Sequence, residues 1–473
     1  MKPYRKLIKN SLIFAIGSFG SRIVSFVLLP VYTLYLSSSE YGTIDVITTT
    51  ATLLLPLVSL SIYDAVLRYV LEDSNISSKI LTNSILVSLC GFLFSCLFLP
   101  LVVKISFFRQ YYIYLYLLLF FEIIERILSS FCRGIGYVKR FAFNGMLKTF
   151  TSGLFNVLFL VFLKRGVEGY FISLIISTII SIVFLTTATK SICYFSLNSV
   201  STTYVKLMVK YSIPLIPNSI MWWVINGASR FMITTFIGIS ANGLYAIASK
   251  IPAILNMLNS VFAQAWQLSA IEEYNKSETK RYYSNVFRVY SLLSFGLSGV
   301  IMILLKPIFF YIFSSDYSEA WIAVPFLLLG TIFSSFSGFI GTTYLAAKNT
   351  KGSLKTSLIG GIVSLILNAL FIPFAGLLGA AFVSFISFTI MFILRYFDTK
   401  DIVGIEVDWK RMILNTLGIV VQFAAIYLTN MVTGIMISSL LYLLFLIGNR
   451  SDLAIAWEYL IVSKQSSDKI INH

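Results

Sequence analysis

Apolar stretches longer than the roughly 20 residues needed to cross the hydrocarbon core of a bilayer recur from one end of this 473-residue chain to the other. In such a stretch the backbone amides lose water, and an α-helix satisfies them all within the segment. Fourteen spans are read, at 11–36, 43–67, 81–103, 111–131, 141–163, 167–188, 211–237, 241–266, 287–313, 321–345, 356–374, 376–396, 411–430 and 432–448. Composition agrees, because 58% hydrophobic residues, 12% charged residues and a mean hydropathy of +0.86 lie far outside the range of soluble domains. The expected fold class is therefore an all-α integral membrane protein of about 14 transmembrane helices. The last two spans are short and joined by a tight turn near Thr433-Gly434, so two full spans or a re-entrant pair both fit. The basic opening "MKPYRKLIKN" is like that of a signal peptide. The apolar run after it is too long and lacks a small-x-small cleavage site, so it reads as a retained first span.

A net charge of +16 raises the question of a nucleic-acid partner. The placement of the charges answers it. With the N-terminus in the cytosol, 27 of the 36 Lys and Arg fall on cytosolic segments and helix ends. Only Lys104, Arg109, Lys164, Arg165 and Lys306 fall on the opposite face. That asymmetry is the positive-inside pattern. The basic excess thus reports topology and contact with anionic membrane lipids, with no nucleic acid required. An even number of spans puts both termini in the cytosol, and no connection exceeds about two dozen residues.

Catalytic vocabulary is sparse. The single histidine is His473, which excludes a histidine base or ligand within the fold. No Asp-x-Asp pair, Gly-x-Ser-x-Gly or phosphate-cradling glycine loop is present. Glu406-Val-Asp408 reads as a solvated loop, and Cys90, Cys96, Cys132 and Cys193 show neither ligand spacing nor a disulfide framework. No metal, cofactor or catalytic residue is expected.

Internal repetition organises the chain. Residues 137–159, "YVKRFAFNGMLKTFTSGLFNVLF", align with 349–371, "NTKGSLKTSLIGGIVSLILNALF", placing Lys139 on Lys351, Asn156 on Asn368 and Phe159 on Phe371. Shortly after, Gly166 and Gly169 match Gly376 and Gly379. A second match sets "SSSEYGTIDV" (37–46) on "GISANGLYAI" (238–247), with Gly42 on Gly243. The expected organisation is two homologous six-helix lobes, 1–190 and 205–397, then two extra helices in 411–448 and a cytosolic tail over 449–473. Six is even, so the lobes run parallel, an arrangement known among transporters that rock around a central site.

The residues at these places also carry a resemblance. "LLPVYTLYLSSSEYGTIDV" followed by "DAVLRYV" resembles the opening of the polysaccharide-exporter branch, the Wzx-type flippases, of the multidrug/oligosaccharidyl-lipid/polysaccharide superfamily. "SIPLIPNSIMWWVINGASRFMITTFIGISANGLYAIASK" is similar to that branch's seventh and eighth helices. The likeness covers spans 1 to 12, and it departs at Ser229, where many relatives carry an acid before the arginine. It implies a MATE-like arrangement of lobes and a cationic cavity. It also implies a flippase that moves polyprenyl-diphosphate-linked oligosaccharide across the bacterial cytoplasmic (inner) membrane by alternating access, for surface polysaccharide such as lipopolysaccharide O-antigen or capsule. A polysaccharide polymerase and a chain-length regulator are the implied protein partners.

Charges within spans supply the candidate site residues, since a charge at mid-membrane costs about 2.5–3.5 kcal/mol and normally faces a cavity or a partner. Arg22 shares a helical stripe with Ser18 and Ser25, and Arg230 shares one with Asn218, Trp222 and Asn226. Lys250 lies eight residues into span 8. Arg22, Arg230, Lys250, Asn218 and Asn226 are the expected cavity residues, where guanidinium would grip a diphosphate through paired hydrogen bonds. The bland alternative for each is a structural ion pair or a snorkelling side chain. Asp64 with Arg68, and Glu122 with Arg126, stand at i, i+4 as candidate structural ion pairs. Asp64, Glu122 and Glu125 are also candidate sites for coupling to H+ or Na+, while Asp45 reads as solvated at a helix N-terminus. Pro30, Pro56, Pro214, Pro217 and Pro252 mark expected bends. The competing functions are an ion-coupled multidrug exporter of the MATE type, a peptidoglycan lipid II flippase, and a membrane polysaccharide polymerase or glycosyltransferase. The short outer loops speak against the polymerase.

Overall fold

The computed structural model describes residues 20, 24–105, 108–273, 279–347 and 350–453. Every long apolar stretch within them is helical, and no strand occurs among the described residues. The first part of the chain forms α1 (Leu29–Tyr35), α2 (Ser38–Val58), α3 (Ile62–Glu72), α4 (Ser77–Cys96), α5 (Tyr112–Gly134), α6 (Val138–Asn156), α7 (Gly166–Thr189), α8 (Thr202–Ser212), α9 (Ile216–Phe236) and α10 (Ile239–Ala248). The rest forms α11 (Pro252–Glu273), α12 (Thr279–Tyr311), α13 (Val324–Ala346), α14 (Thr350–Asp398), α15 (Trp409–Leu428) and α16 (Met431–Gly448). Nine described helical stretches are long and apolar enough to cross a membrane, and the chain is a multi-pass membrane protein. The described residues cluster into two compact units, one ending at Ala246 and one beginning at Ile247.

Several expected spans are interrupted, and proline or left-handed backbone marks each break. The stretch 43–67 divides into α2 and α3 across Ser59–Ser61, where Leu60 and Ser61 take φ of 51° and 50°. Pro56 lies inside the last turn of α2, where it removes one amide from the helical ladder. The stretch 241–266 divides at Ser249–Ile251, immediately before Pro252 opens α11. Pro214 occupies a 3-10 turn between α8 and α9, and Pro217 sits in the first turn of α9, a position that tolerates a missing amide. Spans 356–374 and 376–396 run together as α14, with the helix axis broken at Gly376 (φ 57°, ψ −134°).

Residues paired by the sequence repeat share local geometry. Gly166 and Gly376 both have positive φ, 53° and 57°. A Cβ on Gly169 would lie 3.3 Å from the Phe159 carbonyl oxygen, and one on Gly379 would lie 2.6 Å from the matching Phe371 carbonyl oxygen. Asn156 and Asn368 are both buried, each with its Nδ2 turned back to a serine four residues earlier.

In the first unit, Ile62, Val66, Leu81, Ile127, Phe131 and Leu185 form the centre of a mainly aliphatic core. In the second, aromatic rings dominate, with Phe336 standing 5.1 Å from Phe287 and 5.9 Å from Phe392, centroid to centroid. Inside that core Arg395 is 5% exposed, and its guanidinium donates to the Ser337 carbonyl, Ser357 Oγ and Thr356 Oγ1 at 2.8, 2.9 and 3.2 Å. The turn between α15 and α16 falls at Thr429-Asn430, not at Thr433-Gly434. These helices have 20 and 18 residues, and each is long and apolar enough for a crossing. They are tied to α12 by Asp452, which pairs with Arg288 at 3.1 Å and also with Arg411. α16 is far less buried than α2, although it is the more apolar of the two. Apolar side chains turned outward to this degree suit a lipid-facing helix.

Candidate functional site

The site is built where α2 crosses α10. Ser37 caps α2 by accepting from the Glu40 amide, and the Glu40 carboxylate accepts in return from the Ser37 amide at 2.8 Å. This capping box fixes where the helix starts, one turn before Gly42. The start of α10 follows Gly238, whose φ of 132° suits glycine and few other residues. The two first turns then meet glycine to glycine. A Cβ on Gly42 would lie 2.0 Å from the Ile239 carbonyl oxygen, and a Cβ on Gly243 would lie 1.8 Å from the Ser38 carbonyl oxygen. Only glycine permits this approach. The contact is reciprocal, since the repeat pairs Gly42 with Gly243 and Ser38 with Ile239. Such reciprocity is the signature of an isologous, two-fold contact, here within one chain. Ser38 Oγ and Ser240 Oγ share a hydrogen bond of 2.6 Å across the crossing.

One turn further in lies the charged part of the seam. Asp45 accepts the Arg230 guanidinium on Oδ1 and the Asn242 amide on Oδ2, the latter at 3.1 Å, while Asn242 also donates to the Gly42 carbonyl at 3.2 Å. The pair is largely removed from solvent, with side-chain exposures of 19% for Arg230 and 11% for Asp45. Tyr41 and Tyr245 are buried beside it, and Tyr245 is hydrogen-bonded to Ser229. Trp223 of α9 donates from Nε1 to the Thr49 carbonyl of α2 at 2.9 Å, fastening the next turn. Asp45 is thus not solvated at a helix N-terminus, as its position in the sequence suggested. It is the anion that Arg230 meets in this conformation.

A second polar cluster lies among α5, α6 and α7. Lys148 Nζ is 2.6 Å from Glu122 and 3.8 Å from Glu125. Glu125, 7% exposed, accepts from Asn144 Nδ2 at 3.0 Å and from Ser181 Oγ at 3.2 Å. Ser181 also contacts Asn144 Oδ1 at 2.8 Å, which closes the network. Glu122 therefore pairs with Lys148 on the neighbouring helix and not with Arg126, which is exposed on α5. The two acids share one half-buried cation.

Arg22 and the side chain of Asn218 lie outside the described residues. Asn226 is exposed on α9, and Lys250 is exposed in the break after α10, not within a helix. Asp64 is half-buried on α3, while Arg68 pairs with Glu72 at 3.0 Å and lies over the Tyr211 ring, so the i, i+4 partner it takes is the following acid. Sequence reasoning missed the partner role of Asp45 and the contributions of Asn242, Asn144, Lys148 and Ser181. One signal was available for Asp45, which stands three residues after a repeat-matched glycine and so on the same helix face. Among the described residues no group of three or more His, Cys, Asp or Glu is placed to hold a metal ion.

The fold is one seen in membrane transporters. The structure is similar to that of a solved protein described as lipid II flippase MurJ in an inward closed conformation, with 17% identity and a TM-score of 0.69, covering 93% of this chain and 99% of that one. It is also similar to an inward-facing multidrug resistance MATE family transporter of the MOP superfamily, with 14% identity and a TM-score of 0.64, covering 82% of this chain and 98% of that one. A Vibrio cholerae MATE transporter, VcmN, matches with 11% identity and a TM-score of 0.55 over 84% of this chain and 97% of that one. The curated proteins include no match to the sequence. Residues 7–267 match the model of the family described as polysaccharide biosynthesis protein, and the chain belongs to that family.

Proposed function

We propose that this protein is a transporter, not an enzyme, and that it flips a polyprenyl-diphosphate-linked oligosaccharide across the bacterial inner membrane for surface polysaccharide, O-antigen or capsule. The observation that carries the reading is the reciprocal glycine crossing sealed by Asp45 and Arg230. A contact that relates equivalent residues of two repeats, and whose ionic part sits beside two bare-backbone surfaces, can part along one plane without repacking a core. Alternating access requires such a seam. The lobes at 1–190 and 205–397 rock about it, and parting frees Arg230 from Asp45 to meet an anionic diphosphate. Arg22, Lys250, Asn218 and Asn226 line the substrate's path in this reading. The Glu122–Glu125–Lys148 cluster exchanges H+ or Na+, because an acid pair with one shared cation is poised to accept a further positive charge. A polymerase and a chain-length regulator receive the exported product.

The test is deletion of the gene followed by lipid extraction. Lipid-linked oligosaccharide should accumulate on the cytosolic leaflet and surface glycan should fall. Unchanged lipid-linked sugars with altered drug resistance would instead make the protein a multidrug exporter. A second reading, a flippase for a peptidoglycan precursor, is favoured by the structural likeness to the lipid II flippase. It requires that the accumulating lipid carry the peptidoglycan disaccharide.

A further inference from the structure

In the second compact unit, a cavity of about 280 Å³ in volume is lined by charged groups that already pair with one another, but a second cavity, of about 240 Å³, is different. It lies among α11, α12 and α13, and no Asp, Glu, Lys, Arg or His is among its described lining residues. Its floor is aromatic. Trp266 stacks on Phe339 with ring centroids 4.3 Å apart, and Phe262 stacks on Tyr290 at 4.1 Å, both pairs within 9° of parallel. Trp266 Nε1 donates to Thr342 Oγ1 at 2.7 Å, so the indole is held at its polar edge as well as its face. Asn256 stands exposed at the rim, and Asn259 is anchored from below by its hydrogen bond to Ser335. A Cβ added to Gly338 would meet nothing within 4 Å, so the helix backbone of α13 faces open space there.

These features select a class of ligand. A phosphate in a pocket without a counter-charge pays its full desolvation penalty. An uncharged ring bearing hydroxyls does not. Its hydroxyls both donate and accept, as do the asparagine amides and the Ser and Thr hydroxyls of the rim, and its apolar face suits an aromatic floor. A volume of 240 Å³, just below the ~300–1,000 Å³ of drug-sized sites, suits one ring-sized group. Asn259, Phe262 and Tyr290 also line an adjoining cleft of about 530 Å³, walled by Leu255, Leu293, Leu297, Val300 and Phe445. A polar, uncharged pocket that opens beside an apolar cleft suits a sugar borne on an apolar chain.

We propose that the cavity among α11, α12 and α13 is a binding site for an uncharged sugar residue of the lipid-linked substrate. This deepens the flippase reading and rests on it, but assigns the glycan to a cavity of the second compact unit, none of whose described lining residues belongs to the Asp45–Arg230 cluster. The full chain in nanodiscs is tested with a radiolabelled farnesyl-linked neutral disaccharide, with farnesol and the free disaccharide as competitors. Gly338→Trp fills the cavity, whereas Gly338→Ala adds one methyl group to open space and controls for the loss of glycine. Binding should fall at least tenfold in Gly338→Trp and stay within twofold in Gly338→Ala, with both variants matching the parent in thermal transition. Competition by the free disaccharide supports recognition of the sugar itself, and competition only by the farnesyl-linked form supports recognition of the lipid-borne sugar. Equal binding by Gly338→Trp, no binding by the parent, or displacement by farnesol as strong as by the linked sugar overturns the proposal. Such a failure is separate from that of the flippase reading, which stands or falls on the lipid that accumulates when the gene is deleted.

Discussion

Arg230 sits in α9, within the expected span 211–237, and its charge is met by Asp45, 185 residues earlier in the chain. Removing one member of a buried pair leaves the other uncompensated, at a cost of about 3–5 kcal/mol. Asp45→Ala and Arg230→Ala should therefore each lower the thermal midpoint of the purified protein. The exchange Asp45→Arg with Arg230→Asp should recover most of that loss, and a double variant no more stable than either single one would show that the contact is not energetically coupled. If the pair were structural only, the exchanged protein would also export normally. If Arg230 has a second role with the substrate diphosphate, the exchanged protein is stable but inactive, and surface glycan distinguishes the two. The serines of the crossing give a geometric test. With hydroxyls 2.6 Å apart, Ser38→Cys with Ser240→Cys, in a background lacking the four native cysteines, should oxidise readily to a disulfide. Export should stop on oxidation and return on reduction. Export that continues through the cross-linked form would mean that this seam does not open.

At the scale of elements, the breaks within expected spans decide where the charged seam lies. The sequence marked bends at Pro56 and Pro252, and breaks lie beside both, but only Pro56 removes an amide from a helical ladder, since Pro252 opens α11. It did not show that the chain leaves α2 through two consecutive left-handed residues, Leu60 and Ser61. For residues other than glycine that conformation costs roughly 1–2 kcal/mol each. Ser61→Gly should consequently stabilise the protein by about 1 kcal/mol, read as a higher midpoint in scanning fluorimetry, and a lower midpoint would contradict this account of the turn. The repeat was legible at this scale because glycine and asparagine were retained where the backbone needs them. Gly166 and Gly376 sit in matching left-handed turns, and a run of apolar letters with no such punctuation would not have revealed them.

At the scale of the whole molecule, the flippase reading needs an energy source, and in that reading the Glu122–Glu125–Lys148 network is the candidate to take up or release a cation. In proteoliposomes, Glu125→Gln should reduce gradient-driven movement of lipid-linked sugar at least tenfold. The exposed Glu168→Gln should leave it unchanged, and an unaltered response to the gradient in Glu125→Gln would remove the cluster from the coupling path. By itself the sequence determined that the chain lives in a membrane, that its long apolar stretches are helical, that segments punctuated by matched glycines recur, and that proline stands beside some of the breaks. These are properties of neighbours in the chain, because hydropathy, helical periodicity, proline chemistry and glycine punctuation act over a few residues. Only the tertiary structure decided which charges meet. Asp45 with Arg230 and Glu122 with Lys148 are joined across separate helices. An i, i+4 rule proposes partners on the same helix, and no local pattern encodes which faces of distant helices are pressed together once lipid and core have claimed the rest.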